Sequence, residues 1–80
     1  MPRPKVLSGR DVVAIFEKLD FRIVSQRGSH VKLEREHAGS RQVLGVPLHR
    51  EIDRGTLVAI YKQALQYVAE VELRPHFYNI

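Results

Sequence analysis

The run Arg27-Gly28-Ser29-His30-Val31-Lys32 sets one imidazole between two cations. Histidine is the side chain best suited to move protons near neutral pH. Arginine and lysine are the natural partners of phosphate oxygens. Together they suit acid–base chemistry at a phosphodiester. Where the phosphodiester belongs to RNA, the strand brings its own nucleophile, the 2′-hydroxyl, and the site needs a group to remove that proton. It also needs positive charge to stabilise a phosphorane-like transition state. His30 is the candidate base. Lys32 follows two residues along a strand and so shares the His30 face. Arg27 can reach from the turn, and Ser29 or an amide near Gly28 can add a hydrogen bond. No general acid for the leaving 5′-oxygen is evident. His49, beside Arg50, serves only if the fold brings it near His30, and water is the alternative. On the residues alone, a histidine at a strand start is more often a satisfied surface group than a catalyst. His49, beside Arg50, reads better as a loop or RNA-contact residue than as a catalyst.

These side chains need elements to position them. Ser8 caps a helix running to about Leu19, with Asp11 in its first turn and Val12, Ile15, Phe16 and Leu19 on one apolar face. Asp20 ends that pattern. Strands are expected over Phe21 to Gln26, Val31 to Glu36 and Gln42 to Pro47. Gly28 bends the chain between the first two, and His37-Ala38-Gly39-Ser40 has turn composition. Val31 and Leu33 face the core, opposite His30 and Lys32. Leu48 to Asp53 is a connection. A second helix opens near Asp53 or Arg54, with Leu57, Ile60, Tyr61, Ala64, Leu65 and Val68 as its buried stripe. Gly55 and Thr56 at its start suit either a phosphate or ordinary capping. Residues 68–73 either prolong this helix or form an extra strand, and Arg74-Pro75 ends either element. The aromatic tail, with Phe77, Tyr78 and Ile80, either packs back onto the domain or adds area to a partner or homodimer interface.

Composition narrows the function. Eighty residues make one small domain, spanning 1–80, with a basic extended lead-in over 1–7. Without cysteine there are no disulfides, thiolate metal sites or cysteine nucleophiles, and a reducing, cytoplasmic setting is the simplest expectation. The four histidines lack a metal-ligand spacing, so no metal or cofactor is expected. No apolar run is long enough to span a bilayer, and the start lacks the apolar stretch of a signal peptide. The net charge of +4 and pI near 9.9 suit nucleic acid or an acidic protein. Arg27, Lys32, Arg50 and Arg41 are expected to form the basic surface.

The order helix, three strands, helix implies an α+β domain: a three-stranded antiparallel sheet with two helices on one face and the other face open. That plan is the double-stranded-RNA-binding-domain fold. The motifs then carry a closer resemblance. The helix Ser8 to Leu19, Phe21, Gly28-Ser29-His30, Val46-Pro47-Leu48-His49 and Ile52-Asp53-Arg54-Gly55-Thr56-Leu57 together resemble the HicA family of toxins over roughly residues 8–65. The resemblance implies a toxin of a type II toxin–antitoxin module, active in stress response. It further implies a metal-independent endoribonuclease cleaving mRNA through a single histidine, here His30, and neutralised by a HicB-type antitoxin. Asp53 stands where the family often has proline, a mild change because both suit a helix start. Residues 69–80 extend past the usual end. Two other readings remain: a non-catalytic RNA-binding module of this fold, and a protein-interaction domain whose basic face fits an acidic partner.

Overall fold

A computed structural model describes residues 3–79. Its elements run α1 (Gly9–Lys18), β1 (Arg22–Arg27), β2 (His30–His37), β3 (Ser40–Pro47), α2 (Arg54–Ala64) and α3 (Glu70–Phe77). The strands form one antiparallel sheet in the order β1-β2-β3, so the domain is α+β.

Both ends of α1 are set by local chemistry. The Asp11 amide donates to the Ser8 hydroxyl at 3.0 Å, and the Ser8 amide donates to the Asp11 carboxylate at 2.9 Å. This reciprocal cap satisfies two donors that the helix leaves free. At the other end Asp20 turns left-handed, with φ 73°. The Phe21 amide then bonds the Phe16 carbonyl and the Asp20 amide bonds the Glu17 carbonyl. The Phe16 and Phe21 rings meet at 5.8 Å, completing a Schellman turn. The turn delivers the chain into β1.

Two tight hairpins build the sheet. Arg27 pairs with His30 across Gly28-Ser29, and Gly28 has φ 55°. Glycine at the first turn position is the type II′ signature. His37 pairs with Ser40 across Ala38-Gly39, both with positive φ as in a type I′ turn. His37 and Ser40 are the first and last residues of this turn and also the ends of their strands. The β1–β2 register slips between Ile23 and Ser25, a bulge at Val24.

Alternation along β2 and β3 divides the sheet. Val31, Leu33, Leu44 and Val46 are buried against the helices. They join Val12, Phe16, Leu57, Ile60, Tyr61 and Ala64 in one core. Burial and a hydrogen bond to Glu70 push the Tyr61 hydroxyl pKa up, so it stays protonated within this packing. Arg35 also faces the helices. Its guanidinium bonds the Leu19 carbonyl at 2.8 Å, the Tyr67 carbonyl at 2.9 Å and the Gln42 side chain, and lies 4.7 Å from the Phe21 ring centre. One cation thus ties the end of α1 to the chain between α2 and α3.

The C-terminal segment corrects the expectation that Arg74-Pro75 ends an element. Residues 70–77 form a separate helix that continues through Pro75. Proline in a helix removes one bond, here the one to the Val71 carbonyl. Val71 lies on the exposed side, 83 % accessible, where water can replace the lost donor. Leu73 and Phe77, one turn apart, are fully buried and hold the helix to the core. Phe77 meets Phe16 at 5.9 Å and Tyr61 at 5.4 Å. Tyr78 packs edge-on to Tyr61 and bridges to Pro4, while the Lys5 amide donates to the Phe77 carbonyl. The lead-in and the tail therefore meet. Ile80 and the first two residues lie outside the described residues.

Candidate active site

His30 is the first residue of β2 and the cross-strand partner of both Arg27 and Pro47. Residues paired across a ladder point to the same face. Arg27, His30 and Lys32 therefore share the face that the helices leave open, and all three are exposed. Among the described residues, no hydrogen bond or ion pair engages the His30 imidazole. Lys32 pairs with Ser25 on one side and Gly45 on the other. Nothing lies within 4 Å of where a Gly45 Cβ would stand, so the sheet beside Lys32 is bare backbone that a ligand can approach closely.

The turn holding His30 is fixed from behind. The Leu48 amide donates to the Ser29 carbonyl, locking the β1–β2 turn to the chain leaving β3. The Gly9 amide donates to the His49 carbonyl at 2.9 Å. A Cβ on Gly9 would stand only 2.2 Å from the Pro47 carbonyl oxygen, so this contact requires glycine. The start of α1, the β3 exit and the His30 turn thus form one rigid end of the domain. Such support lets a site keep its geometry without a ligand.

His49 and Arg50 are exposed in the connection after β3, adjoining that turn through Leu48. The Asp53 carboxyl is held below its ordinary range, first by the Thr56 hydroxyl, then by the Thr56 amide, and more weakly by the charge of His49. The Thr56 amide and hydroxyl both donate to Asp53, at 3.0 and 2.7 Å, so capping accounts for these residues. Arg27, His30 and Lys32 are brought together on one face. Ser29 lies in the adjoining turn, with His49 and Arg50 in a neighbouring loop.

The sequence reading missed Glu34. It lies on the same face as His30 and Lys32, with one carboxylate oxygen 3.7 Å from Lys32 Nζ and the other 3.8 Å from Arg41 Nε. Strand alternation from His30 onward was the available signal. A second feature constrains any ligand. All six aromatic residues of the phenylalanine and tyrosine types lie in the core or packed against it. The open face thus offers cations and an imidazole, and no phenyl or phenol ring for base stacking.

No helix among the described residues is long and apolar enough to cross a membrane. No curated protein and no solved structure is similar enough to count as a match. The profile of one family, described as HicA toxin of bacterial toxin-antitoxin, matches residues 9–65. That span runs from the start of α1 to the end of α2 and includes the whole sheet with His30 on its open face, so the chain belongs to the HicA family of toxins from toxin–antitoxin modules.

Proposed function

We propose that this toxin is an endoribonuclease that cleaves mRNA with His30 as its single catalytic histidine. The observation that carries the reading is His30 itself, exposed between Arg27 and Lys32 on the open sheet face of a toxin-family chain. Neutral His30 takes the proton of the ribose 2′-hydroxyl. The 2′-oxygen attacks the adjacent phosphorus, the bond to the 5′-oxygen breaks, and a 2′,3′-cyclic phosphate forms. The departing 5′-oxygen takes a proton from water or an acid. Lys32 and Arg27 offset the charge that builds on the nonbridging oxygens. Ser29, His49 and Arg50 contact the strand on either side. The reaction needs no metal, because the nucleophile belongs to the substrate and a side chain serves as base. The antitoxin that accompanies a toxin of this kind is of the HicB type, and it silences the enzyme by covering His30 or by blocking RNA. Acidic groups on it suit the basic face and speed encounter.

Purified protein tested on RNA decides the matter. Wild type yields cyclic-phosphate ends, and His30→Ala loses about 100- to 10,000-fold in rate, the usual worth of a general base. A single 2′-deoxy substitution at the cut position blocks cleavage there. Full activity of the variant, or cleavage at the deoxy position, refutes the mechanism.

A further inference from the structure

The open face carries a second charged cluster, which shares only Lys32 with the chemistry at His30. Glu34 is its centre. It follows His30 and Lys32 on the same face of β2, its cross-strand neighbour on β1 is Arg22, and Arg41 reaches it from β3. Its two oxygens are divided between Lys32 at 3.7 Å and Arg41 at 3.8 Å. The Glu34 side chain is only 19 % exposed, against 47 % for Lys32 and 67 % for Arg41. The carboxylate is thus sheltered and the cations remain reachable. A cleft of about 290 Å³ opens beside Arg22 and Arg41, with Asp20, Glu34, Arg35 and Glu36 among its other walls.

Both contacts are longer than hydrogen bonds, and solvent screening keeps such exposed pairs weak. A phosphodiester carries the same single negative charge as the carboxylate and suits the same cations. We infer that Arg22, Lys32 and Arg41 form a second subsite for an RNA backbone phosphate, and that Glu34 holds two of these cations in place until the phosphate takes them over. The inference rests on the RNA-cleaving reading. Four residues of antiparallel strand place Glu34 roughly 13 Å from His30, so the phosphate it admits lies about two nucleotides from the scissile one. Lys32 stands between the two positions. In the free protein it pairs with Glu34, and arrival of the strand gives it a phosphate in place of the carboxylate.

The test measures binding of a 2′-O-methyl RNA oligonucleotide, which lacks the free hydroxyl needed for cleavage, at several salt concentrations. Glu34→Gln keeps the shape of the side chain and removes its charge. It is expected to tighten binding about three- to tenfold, the scale of one or two exposed ion pairs. The slope of log affinity against log salt should stay close to that of wild type, because the same phosphate is bound in both. Arg41→Ala should weaken binding and flatten the slope, and should cancel most of the gain in the double variant. If wild type cleaves RNA and binds the oligonucleotide while Glu34→Gln binds no tighter, the subsite is wrong and the nuclease reading stands. If wild type neither cleaves nor binds, both fall. Should Glu34→Gln fold poorly, Arg41→Ala decides alone, because an exposed side chain carries little of the fold; unchanged affinity and slope there overturn the subsite.

Discussion

The two faces of the sheet are built from alternate residues of the same strands, and they have opposite characters. Toward the helices stand Val31, Leu33, Leu44 and Val46, all buried. Toward solvent stand His30, Lys32, Glu34 and Arg41, with Gly45 leaving a bare patch among them. A strand period of two lets one eight-residue segment, β2, carry core and site together. Stability and chemistry therefore sit on separate side chains, and substitutions on one face should leave the other largely untouched.

The largest effect on stability should come from the helix face. Phe77→Ala removes a fully buried ring from contact with Phe16 and Tyr61, and should cost about 3–5 kcal/mol in a denaturant titration. A loss below about 1 kcal/mol would make α3 an appendage and not part of the core. Arg35→Met comes next. It leaves the Leu19 and Tyr67 carbonyls and Gln42 without their donor, and should cost about 1–3 kcal/mol. Neither substitution touches Arg27, His30 or Lys32, so the surviving folded fraction should keep its specific activity.

Lys32→Ala tests the other face. Under the proposed mechanism it should lower the cleavage rate at least about tenfold through lost transition-state charge stabilisation. Its unfolding free energy should move by no more than about 0.5 kcal/mol, because the side chain is exposed. A destabilised Lys32→Ala with normal turnover would reverse the assignment of the two faces. The smallest effect concerns the cap of α2. The Asp53 pKa is lowered in the folded state, chiefly by Thr56. Its contribution is therefore full above the ordinary aspartate range and is lost as pH falls through the lowered value. The melting-temperature gap between wild type and Asp53→Ala should be widest at neutral pH and close in acid.

Much of this arrangement was legible because it follows from short-range rules. Ser8 with Asp11, Gly28-Ser29 and the Val31/Leu33 alternation mark the helix start, the hairpin and the buried face, and they place His30 and Lys32 together. Long-range contacts were less legible. Pro75 argued against a helix, and only the burial of Leu73 and Phe77 overrides it. Arg35 continues the alternation of Val31 and Leu33 and so had to face inward. Its partners, the carbonyls of Leu19 and Tyr67, lie 16 and 32 residues away and emerge only from the fold. Glu34 was missed because a search for positive charge passes over an acid, although the same period of two aligns it with Lys32.

The central claim is that His30 carries chemistry and not structure. The direct measurement is RNA cleavage and thermal unfolding of wild type and His30→Ala, made on the same preparations. The account predicts loss of cleavage by about 100- to 10,000-fold with a nearly unchanged melting temperature. Full cleavage by the variant, or loss of cleavage that merely follows a collapsed melting temperature, would contradict it.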